Sequence, residues 1–178
     1  MHILILTGSP HKNGTTAALV DAFCEGAQSA GHHIARLDAA RLAVNPCKGC
    51  LYCKSHGLTC IQQDQMAEVY PPLLAADAVV FVTPVYYLGM TAQLKAVLDR
   101  FFAVNSALRK SPKKMYLLAA STMEDAYATD SMEASFRAAC RYLRWEYAGS
   151  VLARGCPTRA EVEKTDFLSK ARDLGASL

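Results

Sequence analysis

The sequence has no long uninterrupted apolar run, and it has no basic leader followed by an apolar core. Its longest apolar stretches have the length of a strand and are broken by threonine or proline. Since a membrane-spanning helix needs roughly 20 consecutive apolar residues, neither a membrane span nor a secretory signal is expected. The chain has seven cysteines, an odd number, and no such signal, which favours free thiols or ligands over disulfides. We therefore expect a cytoplasmic protein.

The sequence also has little excess of charge of either sign. Its 19 basic and 16 acidic residues give a net charge of +3 and are scattered without a basic stripe, so nucleic acid is not an expected partner. The densest basic group lies around Pro112 and is interpreted as a solvated loop; it consists of Arg109, Lys110, Lys113 and Lys114.

Flexible linkers, internal repeats and low-complexity tracts are missing as well. With 178 residues, of which 52% are hydrophobic, the chain is near the usual size of one domain with one core. We predict a single domain over residues 1–178, with a cysteine-rich insertion at about residues 41–64.

What the sequence does contain is a strand that stops abruptly at its first glycine. The run 3–6 is continuously apolar, as in a parallel strand covered on both faces, and residues 8–16 form a loop before helical periodicity begins. The loop lacks the lysine that a nucleoside-triphosphate loop places after its second glycine, and it lacks the glycine spacing of dinucleotide-binding proteins. Free amides at the start of a helix favour an anion, so the predicted ligand is a phosphate monoester; an ordinary strand-to-helix turn is the alternative.

Strands and helices are predicted to alternate along the rest of the chain. The predicted strands are 2–7, 33–37, 78–83, 115–120 and 147–152, and the helices after the first are 65–76, 91–105, 130–145 and 159–174. Pro71 and Pro72 are expected to kink or restart the first of these four helices. The alternation predicts a three-layer α/β sandwich whose five-stranded parallel sheet has the order 2-1-3-4-5. Because ligands bind such sheets where the strand order reverses, the loops after strands one and three are expected to meet.

The loop after the third strand carries two adjacent tyrosines at that meeting point. Aromatic and apolar side chains of residues 84–90 offer a stacking surface to a planar heterocycle, and the loop's backbone amides can bind the polar edge of such a ring. A third contact is expected from the loop after strand four, which begins at Ser121. A phosphate at one end and a flat ring at the other predict FMN, although tyrosines in such a loop also fit ordinary packing.

Together these segments resemble the flavodoxin-like NAD(P)H-dependent FMN reductases and the related iron-sulfur flavoproteins. The resemblance rests on residues 8–16, on residues 83–87, on Leu94-Lys95 through Leu98-Asp99-Arg100 and on the cysteine-rich segment, and it covers about the first two thirds of the chain. The implied set at the phosphate is Ser9, Pro10, His11, Asn13, Gly14, Thr15 and Thr16. The implied set at the ring is Pro84, Val85, Tyr86, Tyr87 and Gly89, and Ser121 is added by its position alone. The resemblance further implies NAD(P)H as co-substrate and a homodimer or higher homo-oligomer, in which Leu51 and Tyr52 cover a partner's flavin.

His11 departs from the resemblance, because relatives usually place arginine or lysine at this point of the loop. A neutral imidazole contributes less charge, so we expect either compensation by Lys12 or phosphate binding that weakens as histidine loses its proton with rising pH.

The cysteine-rich segment has three interpretations. Cys47, Cys50, Cys53 and Cys60 form a compact run of the kind that can hold a 4Fe-4S cluster, as the iron-sulfur flavoproteins imply. Four thiolates also suit zinc. Free or redox-active thiols beside the flavin are the third interpretation. His56 is interpreted as a solvent-facing side chain, and Cys156 is left unassigned.

The predicted function is an FMN-dependent oxidoreductase that takes hydride from NAD(P)H and reduces a quinone, azo compound, flavin or similar small acceptor. No dedicated acid, base or nucleophile is expected, because the flavin carries the chemistry. Two alternatives remain open: an electron carrier that uses FMN and a 4Fe-4S cluster, and a non-catalytic, redox-sensing flavin-binding module. The sequence predicts neither the choice between NADH and NADPH nor the electron acceptor.

Overall fold

A computed structural model describes residues 1–178 and places five parallel strands in one sheet. The strands are β1 (His2–Thr7), β2 (His33–Asp38), β3 (Ala78–Pro84), β4 (Lys114–Ala120) and β5 (Glu146–Ala153). The sheet order is β2-β1-β3-β4-β5, which confirms the predicted order. Each strand lies within one residue of its predicted bounds, because the alternation of apolar runs with glycine and proline marks strand ends well.

Eight helices connect and flank the strands. They are α1 (Thr15–Ser29), α2 (Tyr52–Ser55), α3 (Met66–Ala75), α4 (Ala92–Arg100), α5 (Asn105–Leu108), α6 (Tyr127–Leu143), α7 (Arg159–Val162) and α8 (Phe167–Ala176). The predicted helix 91–105 ends early, since a 3-10 turn at Phe101–Val104 separates α4 from α5. The predicted helix 159–174 is divided into α7 and α8, and α6 begins three residues before its predicted start. None of the helices combines the length and the apolar character needed to cross a bilayer.

The prediction that Pro71 and Pro72 restart the helix is wrong, because both lie inside the continuous helix α3. Pro71 is exposed and Pro72 is half-buried, while Met66, Val69 and Leu73 bury the opposite face. Carbonyls that lose a backbone partner to proline can bind water on an exposed side, and the buried face stabilises the helix despite the missing donors.

The sheet separates two apolar cores, as a doubly covered parallel sheet requires. Leu4 and Leu6 of β1 face one core, and Ile3 and Ile5 face the other. Helices α3, α4 and α6 cover the first core, and α1 and α8 cover the second. The continuous apolar run of β1 is therefore explained by burial on both faces.

Helices α1 and α8 approach each other through glycine. A Cβ added at Gly26 would lie 2.0 Å from the carbonyl oxygen of Arg172, and one added at Gly175 would lie 2.2 Å from that of Phe23. Neither position has room for a side chain. The helix that begins at the predicted phosphate loop is thus held closely against the last helix of the fold.

The basic group around Pro112 differs from its interpretation as a solvated loop, because Lys114 begins β4 and Lys113 is buried. Lys113 is buried, and its Nζ donates hydrogen bonds to the carbonyl oxygens of Leu74 and Ala76 at the end of α3. Burial lowers the pKa of this lysine. Lys113 therefore caps a helix C-terminus, where free carbonyls and the negative end of the helix dipole favour a cation.

The cysteine-rich segment, residues 41–64, connects β2 to α3. Within it the structure contains a single one-turn helix, α2. The parallel strands meanwhile bring the loops after β1, β3, β4 and β5 to one edge of the sheet. This edge is where the candidate site lies.

Candidate functional site

The start of α1 presents a row of backbone amides without acceptors. The amides of Lys12, Asn13, Gly14, Thr15 and Thr16 donate no hydrogen bond within the protein, whereas the amide of His11 donates to Ser9 Oγ at 3.2 Å. Gly14 is the N-cap of this 15-residue helix, and the helix has no acidic residue in its first turn. The arrangement is suited to an anion, because free amides and the positive end of the helix dipole act at the same place.

Thr15 can contribute its backbone amide to an anion, but its hydroxyl group is already bonded within the protein. Its Oγ1 is buried and donates to the carbonyl oxygen of Cys156 at 2.9 Å. The hydroxyl proton is thus committed to the loop after β5, which leaves the amide of Thr15 as the group that can donate to a ligand. The bond fixes the start of α1 against a loop that lies far away in sequence.

The loops after β1 and β3 are joined through Thr91, the N-cap of α4. Its Oγ1 donates to the carbonyl oxygen of Gly8 at 2.8 Å, and its amide donates to Thr83 Oγ1 at 3.2 Å. The amide of Gly8 donates to the carbonyl oxygen of Val82 at 2.7 Å. The two loops that were expected to meet therefore do meet, and α4 begins at their junction.

The loop after β3 forms a tight turn instead of an open row of donors. The amides of Tyr86 and Gly89 each donate to the other residue's carbonyl oxygen, and the amide of Val85 donates to the carbonyl oxygen of Ala120. Tyr87, at φ 48°, is fully exposed at the tip of this turn. The expectation that this loop offers free amides to a ring edge therefore fails at Val85 and Tyr86, because these amides are used within the protein.

The loop after β4 supplies polar groups beside this turn. Ser121 is buried; its amide donates to the carbonyl oxygen of Ala153 at 2.8 Å, and its Oγ accepts from the amide of Met123 at 3.0 Å. The amide of Thr122 has no acceptor in the protein. Thr122 therefore offers a free backbone donor at this part of the sheet edge, within the loop after strand four that was expected to supply a third contact.

One open cavity of about 650 Å³ joins these loops, and we call it the sheet-edge cavity. Its lining contains Ser9, His11, Lys12, Asn13, Gly14, Thr15, Thr16, Pro84, Val85, Tyr86, Ala120, Ser121, Thr122, Cys156, Pro157, Thr158 and Arg159. The volume lies within the range of small-molecule and cofactor sites. Of the residues proposed from the sequence, Pro10, Tyr87 and Gly89 lie outside the lining.

The loop after β5 forms a wall that sequence reasoning missed. Cys156 is buried in this wall, and its Sγ donates to the carbonyl oxygen of Arg154 at 3.3 Å. Burial raises the pKa of Cys156, which keeps it a thiol. Arg159 brings a guanidinium to the rim, where it contacts Glu163 at 2.8 Å and Asp21 at 3.9 Å. This wall could have been predicted from the sequence, because the carboxyl ends of all parallel strands lie at one edge of the sheet, and that rule applies to β5 as much as to β4.

The four clustered cysteines lie at a second, separate place. Cys47, Cys50, Cys53 and Cys60 line one small cavity together with Arg100, and we call it the cysteine cavity. All four are free thiols. As the side chains stand, no three of the molecule's histidine, cysteine and acidic side chains are gathered closely enough to hold a metal ion. His56 is exposed, and its ring stacks on Tyr52 with centroids 3.7 Å apart.

Comparison with known proteins gives three kinds of match, of which the first is with related sequences. An iron-sulfur flavoprotein from Archaeoglobus fulgidus is 35% identical over 95 residues, which are 53% of this chain and 43% of that protein. The chain spans about half the length of the curated relatives it matches.

Two solved structures share the fold over nearly their whole length. They are an NAD(P)H:quinone oxidoreductase from Methanothermobacter marburgensis (TM-score 0.69, 19% identity, 99% of this chain and 96% of that one) and an azoreductase from Bacillus anthracis (TM-score 0.75, 17% identity, all of both chains). At such identities the likeness shows the flavodoxin-like fold.

A family profile described as NADPH-dependent FMN reductase matches residues 1–155, a range that includes β1 to β5 and most of the lining of the sheet-edge cavity. The resemblance inferred from the sequence motifs is confirmed by this match. The chain belongs to the family of NADPH-dependent FMN reductases.

Proposed function

We propose that this protein is an FMN-dependent oxidoreductase that takes hydride from NAD(P)H and passes electrons to a quinone, azo compound, flavin or similar small acceptor. The observation that carries the proposal is the sheet-edge cavity, in which an amide row suited to phosphate and a wall suited to a flat ring face the same space. The solved structures with this fold include proteins described as a quinone oxidoreductase and an azoreductase.

In this proposal the phosphate of FMN lies at the start of α1. The amides of Lys12 to Thr16 donate to its oxygens, and the side chains of Ser9, His11, Asn13 and Thr16 are placed around them. Pro10 shapes the loop from outside the lining. Thr15 acts through its amide, because its hydroxyl donates to Cys156.

The ring of FMN lies against the loops after β3 and β4. Pro84, Val85 and Tyr86 provide the apolar and aromatic wall, and Ser121 and Thr122 provide the polar groups. Gly89 and Tyr87 belong to the turn that holds Tyr86 in place and do not touch the cavity.

When bound, FMN supplies the redox chemistry by accepting hydride and releasing electrons to an acceptor. The protein's contribution is to bind, to orient and to shield one face of the ring. The open side of the cavity leaves room for a nicotinamide or an acceptor. The thiol of Cys156, whose pKa is raised by burial and whose Sγ is bonded to Arg154, is not suited to act as a nucleophile.

FMN titration followed by turnover tests this proposal. We expect the purified protein to quench FMN fluorescence with a saturable dissociation constant and to oxidise NADH or NADPH only when FMN is present. Tyr86→Ala should weaken FMN binding by about threefold to tenfold through the loss of a ring contact. Tyr142→Ala, which removes an exposed aromatic residue outside the cavity, is the matched control. A folded protein that does not bind FMN would contradict the proposal.

A second candidate function, an electron carrier with a 4Fe-4S cluster, is favoured by the shared cavity of the four clustered cysteines. Two observations fit a sulfur-ligated group there: all four thiols line one cavity, and the buried Nε of Arg100 in the same wall has no acceptor. Cys47, Cys50, Cys53 and Cys60 would hold the cluster, which would supply single-electron transfer. The curated relatives that match are named iron-sulfur flavoproteins.

Iron and sulfide analysis of anaerobically purified protein tests this second candidate. We expect four iron and four sulfide per chain, by the stoichiometry of the cluster, and a loss of both in Cys53→Ala. Cys24→Ala is the control, because Cys24 is a half-buried helical thiol that does not line the cysteine cavity. Protein that contains no iron or sulfide but still oxidises NAD(P)H would support the proposed reductase and contradict the electron carrier with a cluster.

We also propose that two copies associate, with the cysteine segment of one covering the sheet-edge cavity of the other. Leu51 is 53% exposed, and neither Leu51 nor Tyr52 lines the sheet-edge cavity of its own chain. Leu58 and Ile61 of the same segment are also exposed, and several exposed apolar side chains in one segment are suited to a partner surface. Sedimentation of wild type as a dimer, and of Leu51→Asp as a monomer, would support the association.

A further inference from the structure

Arg100 lies between the two ends of the cysteine-rich segment. It is the last residue of α4, and its side chain is only 1% exposed. One guanidinium nitrogen, Nη1, donates to the carbonyl oxygen of Asn45 at 3.0 Å, and Nη2 donates to that of Gln62 at 3.4 Å. Asn45 precedes the first clustered cysteine and Gln62 follows the last one. A single side chain thus bonds to the backbone on both sides of the four thiols.

Asp64 completes this arrangement. Its carboxylate accepts from Arg100 at 2.7 Å and 3.1 Å, and it also accepts from the backbone amides of Asn45 and Met66. Burial by itself would raise the pKa of Asp64, but the bond from Arg100 and the two amides together hold this pKa below its ordinary value. The carboxylate therefore stays charged near neutral pH and keeps both ends of the segment paired.

The chain between these two ends is weakly held. Leu51 and Leu58 have positive φ angles of 58° and 67°, in the left-handed region that leucine rarely adopts. Among the few backbone bonds in this stretch is that from the amide of Lys54 to the carbonyl oxygen of Leu51. The cysteine cavity measures only about 20 Å³, close to the space of one or two water molecules. A loop of this kind can rearrange around a larger group, provided that its ends stay in place.

One donor of Arg100 is left over. The Nε–H group is buried and has no acceptor, although both Nη atoms are bonded. Buried donors without a partner are rare, and each needs an explanation. Here the residue that carries the free donor lines the same cavity as the four thiols. Thiolate and sulfide sulfur accept hydrogen bonds, and such bonds help to set the potentials of iron-sulfur clusters.

We propose that Arg100 is the positioning residue of the cysteine site: its Nη groups hold the two ends of the segment, and its Nε–H donates to a sulfur of a thiolate-bound metal or iron-sulfur cluster. This inference rests on the proposed role of the cysteines as ligands and is independent of the FMN site.

Cadmium binding to the metal-free full chain tests the holding role. Cadmium–thiolate absorption in the ultraviolet, recorded anaerobically, gives the affinity without any activity of a loaded enzyme. Arg100→Lys keeps the charge beside Asp64 but loses the planar fork and the Nε–H group. We expect its cadmium affinity to fall by about tenfold to a hundredfold, as is typical when a group that supports metal ligands is lost. Lys95→Met removes an exposed cation from the same helix and is the matched control.

The donor role needs a readout that a purely structural role would not change. The double variant Asp64→Leu/Arg100→Met removes both charges and the donor without a net change of charge, so that no unpaired carboxylate is left buried. After reconstitution with iron and sulfide, we expect a midpoint potential below that of wild type, because a hydrogen bond to sulfur stabilises the more negative, reduced cluster.

Three results would overturn the proposal. Cadmium affinity of Arg100→Lys equal to wild type would contradict the holding role, and an unchanged potential in the double variant would contradict the donor role. Wild-type protein with no cadmium–thiolate band would overturn the cysteine site together with this inference. FMN titration of the same samples separates that last result from a failure of the proposed reductase, because it reports the sheet-edge cavity alone.

Discussion

Gly8, at the end of β1, has no space for a side chain. A Cβ at this position would lie 2.7 Å from both the Cβ of Leu94 and the Oγ1 of Thr91, the residue that joins the first two loops. We expect Gly8→Ala to lower the free energy of unfolding by about 1–3 kcal/mol, as overpacking in a dense region does, and to weaken FMN binding as the loops separate. Denaturant unfolding and FMN titration measure the two effects.

The control for this substitution is Gly89→Ala. The nearest atom to a Cβ at Gly89 is the carbonyl oxygen of Tyr86 at 3.8 Å, which is ordinary contact. Its unfolding curve should match that of wild type. If Gly8→Ala and Gly89→Ala lost the same free energy of unfolding, the close contact at Gly8 would not be the cause of the loss.

His11 is exposed in the lining of the sheet-edge cavity, beside the free amides. Arginine is always charged and offers a planar fork of donors that matches phosphate, which an imidazole does not. We expect His11→Arg to bind FMN more tightly than wild type. The ratio of the two FMN dissociation constants, measured in the same buffer, is the quantity to compare. A ratio of one would show that His11 does not face the phosphate.

Sequence reasoning at the scale of single residues found groups that lie in loops and missed groups that are buried. The amide row at residues 12–16 follows from a strand, a glycine and a helix start. The burial of Lys113 and Arg100 cannot be predicted from such a local pattern, because both side chains bind carbonyl groups that are distant in sequence. The wall around Cys156 was missed for the same reason.

At the scale of elements, the contact between α1 and α8 depends on two glycines. Gly26→Ala or Gly175→Ala would place a methyl group against a backbone carbonyl, which cannot move aside as a side chain can. We expect each variant to lose about 1–3 kcal/mol of stability or more, together with FMN affinity, since α1 carries the amide row. Gln28→Ala, on the exposed side of α1, should leave both quantities unchanged.

Thermal unfolding in the presence and absence of FMN distinguishes the two effects. A glycine variant that is destabilised but binds FMN as tightly as wild type would show that the amide row does not depend on α8.

Most of the elements were predictable, and their breaks were not. Apolar runs and flanking glycine or proline define the five strands, whereas α4 ends at a 3-10 turn that no proline or glycine marks. The continuity of α3 through Pro71 and Pro72 depends on the burial of its other face, which is a property of the folded molecule.

At the scale of the whole molecule, acid should unfold this protein through its paired carboxylates. The side chain of Asp64 is 6% exposed. Burial by itself would raise the pKa of Asp64 and of Glu133. Hydrogen bonds to both carboxylates outweigh this effect and hold each pKa below its ordinary value. A lowered pKa in the folded state gives stability that is present above about pH 4 and is lost as the pH falls through the lowered value.

Urea unfolding between pH 7 and pH 3 measures this loss. We expect the stability of wild type to fall over the acid part of the range, and that of the double variant Asp64→Leu/Arg100→Met to fall less steeply. Asp166→Asn, which removes a surface carboxylate 67% exposed, should follow wild type. A double variant with the wild-type slope would show that Asp64 does not contribute to the acid sensitivity.

The close contact of α1 with α8 also has a consequence for biosynthesis. Glu25 of α1 and Arg172 of α8 pair across 147 positions of sequence, so the helix that carries the amide row is translated long before the helix that supports it. A nascent chain that has not yet formed α8 would hold the flavin weakly. Flavin capture is therefore expected to follow the synthesis of α8, which makes it a later step than the folding of the amide row itself.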